Sequence, residues 1–457
     1  MSELPDTLSF LNPHPDKAYV GRQLWLPKRH IHVNQVKAPL EFWSAGMEQE
    51  LVRMWEETEH HLIVPREFLD PKNYDKWPFT FVDVSPTSYP RVNFKSNIKP
   101  RDDVQHEAMQ AMLKSPGGIL NLSCGKGKTV IALWLAAQLQ VPFLVVVNNT
   151  SLIQQWEERI QEHLQFTGKI GRIQRDTFNW EQPCALAMIH TLAFHADTWP
   201  AEFQRHWGLI FYDEIHHLAA PLFSRTAPLF YGRRYGLTAT QFREDGRERV
   251  YYFHVGRSFY SDLEQDLEPR IYFVRIPTKM DLNDPDVVNE VTDITGEVHL
   301  SKLRVWMGKQ ESRNDIIATH IRKMLRAGRK VLALTHSVDQ LDRMQMRFPD
   351  ESATIWSGVN QAERMNVLRN NQLIFATSQL AYEGLDEPSL DSLVLMTPFG
   401  SRNWVQQSIG RIQREREGKK QPVVSIFEDY DISKCVSVCL KAKRSLRRLG
   451  MDYQIVR

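Results

Sequence analysis

The sequence predicts an α/β chain: two tandem parallel-sheet domains preceded by a small α+β accessory domain. Three observations carry this reading. From Pro100 onward, short apolar strands alternate with helical runs, which implies a parallel sheet covered by helices on both faces. That rhythm breaks between residues 242 and 310 and then resumes, so there are two sheets. Residues 1–95 are different in texture, with many prolines and aromatics and only short alternating runs. The expected division is therefore 1–95, an accessory domain; 96–241, the first sheet; 242–310, a connector or insertion; and 311–457, the second sheet with a basic C-terminal helix.

Composition narrows the class. The 457 residues are 42% hydrophobic and 25% charged, as in a soluble globular protein. A net charge of +2 means that any nucleic-acid surface must be a local concentration of charge. No apolar run approaches a membrane span, and the start, MSELPDTLSF, lacks the features of a signal peptide, so the expected compartment is the cytoplasm, the host's if the protein is phage-encoded. The cysteines, Cys124, Cys184, Cys435 and Cys439, form no CxxC pair, which argues against a zinc or iron–sulfur site. Cys435 and Cys439 share a helical face and read as small core residues.

In chain order, the accessory region holds alternating runs at 18–26, 30–36 and 79–84, and a helix is expected over 39–59. Basic clusters (Lys28, Arg29, His30, His32; Arg66, Lys72, Lys76) lie near Trp25, Trp77 and Phe79. Such interleaving suits a nucleic-acid grip. It suits equally a small aromatic core under solvated charges. The histidine pairs 60–61 and 216–217 lack the companions of a metal site.

The first sheet opens with LNLSCGKGKT, residues 120–129. An apolar strand at 118–122 precedes it and helical spacing follows Thr129, so Ser123, Cys124, Gly125, Lys126, Gly127 and Lys128 make the turn between them. This is the context of a phosphate-binding loop. Gly125 and Gly127 let backbone N–H groups close round phosphate oxygens, while the positive end of the next helix faces the anion. Lys128 then reaches the β and γ phosphates of ATP, and the Thr129 hydroxyl holds Mg²⁺. The consensus glycine is replaced by Leu122, and the loop alone is also compatible with an ordinary glycine-rich turn.

Strands follow at 142–147, near 170, at 185–189, at 207–212 and up to 237, with a helix over 151–164. Function in such sheets sits beyond the carboxyl ends of strands. There, after the 207–212 strand, comes Asp213-Glu214-Ile215-His216. Asp213 is placed to hold Mg²⁺ through water and Glu214 to orient or deprotonate the attacking water, on a strand expected to adjoin that of the loop. In the connector, Phe253, Phe259 and Tyr260 are candidates for an aromatic tip that parts strands.

The second sheet draws on strands at 330–335, 353–356, 373–377, 393–396 and 423–427, with helices over 314–326, from 338, from 361, from 403 and over 433–449, and a short terminal strand. Gln407-Ser408-Ile409-Gly410-Arg411-Ile412-Gln413-Arg414 sets Arg411 and Arg414 on one helical face, spaced to meet one phosphate. Such arginines stabilise transition-state charge. Lying in the second domain, they imply that hydrolysis requires the domains to close on ATP. The plain alternative is a solvated helix paired to Glu415 and Glu417. Lys441, Lys443, Arg444, Arg447 and Arg448 form a basic strip on the last helix.

Taken in order, Gln105, SCGKGKT, DEIH, Thr238-Ala239-Thr240, TSQLAYEGLD (377–386) and QSIGRIQR resemble the motifs of a superfamily 2 helicase. Cys124-Gly125 and Arg243-Glu244-Asp245-Gly246 resemble the branch containing the XPB translocases and the phage UvsW branch-migration helicase. The resemblance implies two RecA-like domains, ATP as fuel, adenine reading by Gln105, and nucleotide contacts from Gln407 and Gly410. It implies nucleic-acid contacts from Asn148, Asn149, Thr238, Thr240, Thr377 and Gly384. The activity it implies is DNA-dependent ATP hydrolysis by a monomeric motor on forked or branched duplex DNA. The rivals are the motor subunit of a restriction or remodelling complex that translocates without unwinding, and a DNA-binding or annealing protein switched by ATP.

Overall fold

The computed structural model describes residues 13–456 apart from 46–48, 124, 240–244, 264–266, 357, 358, 360, 379–386, 400–407, 411 and 414–417. The chain divides into two units, Met1–Leu263 and Glu264–Arg457. The expected class is found: each unit is built on its own parallel sheet, and an additional small sheet precedes the first.

In the first unit the strands run Thr177–Phe178, Ile170–Gln174, Cys184–Met188, Phe143–Val147, Leu209–Asp213, Arg233–Thr238, Gly118–Leu122 and Ser258–Asp262 across the sheet. All neighbours pair in parallel except the first two. The strands Gly118–Leu122, Phe143–Val147, Cys184–Met188 and Leu209–Asp213 are almost wholly apolar because both faces are covered. Phe143, Val145 and Val147 enter one core with Leu120, Leu122, Leu209 and Phe211, whereas Leu144 and Val146 enter the opposite one with Ile119, Ile210 and Tyr212. The alternation of side chains across a strand is thus satisfied without any polar face.

The small sheet has the order Glu56–Glu57, His61–Pro65, Gln23–Pro27, Lys17–Val20, Thr80–Asp83. It is fastened to the large sheet of the same unit by the half-buried Arg66 and the buried Arg234. Arg66 donates to the carbonyls of Tyr231 and Gly232, and Arg234 donates to the carbonyls of Arg22, Phe230 and His254. Burial drags the Arg234 guanidinium down to about 10. Further on, Phe94 packs in the core of the large sheet, and its backbone is held in both directions by the Gln140 amide, at 2.9 Å each way.

Two sequence expectations need correcting. No helix spans 39–59; instead Glu41–Trp43 and Leu51–Arg53 pair antiparallel, and Glu56–Glu57 joins the small sheet. The β-forming run Glu41-Phe42-Trp43 and its partner satisfy each other's backbone across the hairpin, which outweighs the helical spacing of the acidic residues. The 242–310 segment is also shared between the units. Ser258–Asp262 closes the edge of the first sheet, and Arg270–Ile276 enters the second between Val423–Asp429 and Tyr453–Val456. The strand-like run Arg270–Ile276 is legible in the sequence, whereas Ser258–Asp262 is not.

The second unit orders its strands Ser352–Ile355, Leu373–Thr377, Val331–Thr335, Ser392–Leu395, Val423–Asp429, Arg270–Ile276 and Tyr453–Val456, all parallel. Leu332 and Leu334 face one core and Val331 and Ala333 the other. Cys435 and Cys439 are buried in apolar clusters, as expected. At its centre lies an ion pair with neither side chain exposed: Arg313 Nε donates to Asp429 Oδ1 at 2.7 Å and Nη2 to Oδ2 at 3.0 Å, while Nη2 also reaches the Met396 carbonyl. The Thr278 hydroxyl donates to the same carboxylate.

Removing one member of such a pair strands the other charge. Asp429→Ala is expected to destabilise the second unit by roughly 3–5 kcal/mol, whereas replacing both partners by apolar residues of similar size costs far less. Urea unfolding of the two variants checks this, and equal losses would contradict it. In the first unit, burial and the nearby Arg234 charge hold the His254 imidazole down at about 3. It therefore stays neutral in the fold while the unfolded chain takes up a proton below its ordinary value. The stability supplied by neutral His254 is full above pH ~6.5 and declines by ~1.4 kcal/mol per pH unit on acidification toward 3. His254→Gln should flatten the pH dependence of unfolding between those limits.

Candidate active site

Five residues, 123–127, separate the strand Gly118–Leu122 from the helix Lys128–Leu139. Gly125 and Gly127 stand at φ 87° and 82°, which only glycine adopts without strain. Gly127 meets a second constraint, since a Cβ there would come within 2.4 Å of the Gln105 amide nitrogen. Leu122 explains the missing consensus glycine: its side chain is fully buried in the sheet core, and only its carbonyl faces the loop. Lys128 Nζ donates to that carbonyl at 2.9 Å and to the Ser123 carbonyl at 3.3 Å, so the ammonium is held over the mouth of the turn. The Ser123 N–H donates to the Asp262 carbonyl, and Lys126 lies 3.9 Å from the Asp262 carboxylate. The edge strand therefore braces the loop.

Gln105 belongs to the helix Asp103–Lys114, capped by Asp102, whose carboxylate accepts from the Gln105 N–H at 2.8 Å. The Gln105 side chain is nearly buried, accepting from Arg101 N–H at 2.9 Å and donating to the Lys126 carbonyl at 3.3 Å. It ties the segment ahead of the helix to the loop.

At the end of Leu209–Asp213, Asp213 Oδ2 accepts from the Trp156 indole N–H at 2.8 Å and Oδ1 from the Glu214 N–H at 3.0 Å. Burial, and after it the charge of Glu214, raise the Asp213 carboxyl; the Trp156 bond and the Lys128 charge oppose them. A carboxylate in this state gains from a cation, and with the Thr129 hydroxyl in the first helical turn after the loop the donor set is one that fits Mg²⁺. Glu214 adopts φ 46° and ψ 56°, a left-handed conformation that is costly for a side chain and is stored at functional sites. The sharp turn throws the chain into the short helix Ile215–Ala219, with Ile215 seated against Gly236, where a Cβ would lie 2.2 Å from it. The strand Arg233–Thr238 thus lies between those of the loop and the acidic pair, which are not neighbours as expected. Sequence distance alone cannot reveal this insertion.

The predicted nucleic-acid residues of this unit fall at the same sheet edge. Thr238 ends its strand and is buried. Asn149 caps the helix Thr150–His163, its side chain accepting from Leu152 N–H at 2.8 Å, and Asn148 contacts His217 Nε2 at 2.8 Å. In the second unit Thr377 ends its strand with a buried hydroxyl that has no partner among the described residues, and Gly410 lies in a helical turn. Cys124, Thr240, Gly384, Gln407, Arg411 and Arg414 lie outside the described residues.

Other expectations change. Lys443 leaves the basic strip: it is buried, with Nζ 2.8 and 2.9 Å from the two Glu428 oxygens, while Lys441, Arg444, Arg447 and Arg448 stay exposed. Phe253 packs on Phe68, Phe259 on Tyr235, and Tyr260 donates to Glu107, so none of the three forms a projecting tip. Trp25 and Phe79 are core residues, whereas Trp43, on the hairpin read as helix, is 64% exposed. Sequence reasoning also missed Trp156 and His217. Trp156 is seven residues past its helix cap on an apolar face, which gives no hint of a polar partner; His217 adjoins the acidic motif, and that position was its one signal.

Residues 97–243 match the family model described as type III restriction enzyme, res subunit. The chain is 27% identical over 377 residues to the "DNA 3'-5' helicase XPB" of Kineococcus radiotolerans, covering 77% of this chain and 64% of that protein. It is 25% identical over 388 residues to the "DNA 3'-5' translocase XPB2" of Sulfurisphaera tokodaii, covering 76% and 86%. Among solved structures, Saccharomyces cerevisiae Dbp5 bound to RNA and ADP BeF3 superposes with a TM-score of 0.53 at 12% identity, over 78% of this chain and 89% of that one. The Mycobacterium smegmatis helicase Lhr superposes at 0.51 with 17% identity, over 78% and 48%. In fold the two sheets are those of these RecA-like helicase structures. In sequence the chain is a helicase-type ATPase similar to the XPB helicases and translocases.

Gly127→Ala should weaken nucleotide binding ~10-fold or more, since left-handed strain and the collision with Gln105 act together. Titration with a fluorescent ATP analogue measures it.

Proposed function

We propose that the protein is an ATP-dependent DNA translocase or helicase working on forked or branched duplex DNA, as branch migration or fork remodelling in repair, recombination or replication requires. The observation that carries this reading is the sharing of one sheet edge by the phosphate loop, the acidic pair, Asn148 and Thr238. The XPB relatives, described as a DNA helicase and a DNA translocase, support DNA as the track.

In this mechanism Lys128 and the loop N–H groups bind the β and γ phosphates. Thr129 and Asp213 would hold Mg²⁺, which when bound would supply positive charge to the phosphate oxygens. Glu214 orients the attacking water and accepts its proton as the bond between the γ phosphorus and its bridging oxygen breaks. Gln105 reads adenine, for which its amide must exchange a loop contact for the base. Gln407 and Gly410 line the nucleotide, and Arg411 and Arg414 stabilise the charge that develops on the transferring phosphoryl group. Asn148, Asn149, Thr238, Thr240, Thr377 and Gly384 hold the DNA backbone through hydroxyls, amides and backbone N–H groups, which do not read sequence. The motor acts as a monomer.

A second reading has its own support. The restriction-subunit family model covers the loop and the acidic pair, and a motor of that kind moves along duplex DNA without separating it. One set of assays distinguishes the two: strand separation on a fork and a four-way junction, and displacement of a third strand from a plain duplex. Product from the branched substrates alone supports the first reading, and third-strand displacement without unwinding supports the second. Lys128→Ala should lower DNA-stimulated ATP hydrolysis by on the order of 10²-fold or more while DNA binding persists. Full activity in that variant would refute both readings.

A further inference from the structure

The Asn148–His217 contact belongs to a longer circuit. The Asn149 side-chain oxygen is engaged as the helix cap, so its amide nitrogen is the donor, at 3.2 Å, to the Asn148 oxygen. That leaves the Asn148 amide nitrogen to donate to His217 Nε2 at 2.8 Å, which makes Nε2 an acceptor and places the His217 ring proton on Nδ1. The His217 ring lies 4.3 Å from that of His216, whose Nδ1 is 3.4 Å from Glu214 Oε2. On the other side, the helix that Asn149 caps carries Trp156, the donor to Asp213. Both acidic residues are therefore connected to the 148–149 turn, one through the two histidines and one through a helix.

We propose that His217 is a positioning residue that couples DNA engagement at Asn148 and Asn149 to the placement of Glu214. The inference rests on the functional reading above, in which that turn meets the DNA backbone. A phosphate oxygen that takes the other N–H of the Asn148 amide fixes the side chain from outside. The first N–H then holds His217, the adjoining His216 loses freedom, and Glu214, already on a strained backbone, is confined to the orientation that aims water at the phosphate. In the absence of DNA the chain of contacts is held from one end only, and hydrolysis is slow. Trp156 gives Asp213 a fixed reference through the same turn, so the metal ligand and the base move together.

The test compares ATP hydrolysis by the unaltered protein, His217→Ala and His217→Gln, each with and without a forked DNA duplex. His217→Ala should keep basal turnover and lose stimulation by about 5-fold or more, within the usual range of coupling between sites. His217→Gln, whose side-chain oxygen can accept from Asn148, should retain most of it. Because coupling between two binding sites is reciprocal, a non-hydrolysable ATP analogue should also alter the affinity of the unaltered protein for the fork, and alter it less in His217→Ala. If the alanine variant fails to fold, His217→Leu, which fills the space without an acceptor, takes its place in both measurements. Unchanged stimulation in the variant overturns the proposal, as does a parallel loss of basal and stimulated rates, which marks a purely structural role. An unaltered protein that hydrolyses ATP without any response to DNA overturns the functional reading, and the coupling with it.

Discussion

Covering both faces of the first unit's sheet leaves its strands no polar side, so groups that must meet phosphate, metal or water are confined to the carboxyl ends. The rest of the unit follows from that confinement. Ser123 to Gly127, Glu214, Ala239 and Asn148 all come directly after apolar strands whose side chains are locked into one or other core. A rigid edge of this kind fixes backbone positions well but leaves charges poorly solvated. The raised carboxyl of Asp213 is the electrostatic consequence, and the indole of Trp156 and the ammonium of Lys128 are the groups set against it.

The accessory sheet is bound into this arrangement through guanidinium groups that satisfy backbone carbonyls. Arg66 and Arg234 meet the consecutive carbonyls of Phe230, Tyr231 and Gly232, and a guanidinium suits the task because its several donors can meet several carbonyls at once. The boundary suggested by the texture near residue 95 lies close to Phe94, a residue that packs in the main core. The change of composition coincides with a change of sheet, from the small, mostly antiparallel one to the large, mostly parallel one.

Much of the site was legible before folding. Glycines, Lys128 and the acidic pair announce themselves because phosphate chemistry demands particular residue types at short spacing. The helix capped by Asn149 and the alternation of strands were equally readable. The misreadings have a common source: charges and aromatics were assigned by sequence neighbourhood. Lys443 reads as part of a basic strip until Glu428, on the adjacent strand Val423–Asp429, takes its ammonium. Phe253 reads as an exposed tip until Phe68 of the accessory region covers it. The hairpin at Glu41–Trp43 was read as helix because its pairing partner was invisible in a local window.

The sequence by itself determined the fold class, the phosphate-binding turn and the acidic motif, since each depends on periodicity or on backbone freedom within a few residues. Only the tertiary structure decided that the Gly236 strand lies between the two halves of the site and that Trp156 serves Asp213. It alone linked Asn148 to His217. Strand order and side-chain partnership are set by packing between segments far apart in the chain, and no local spacing encodes them.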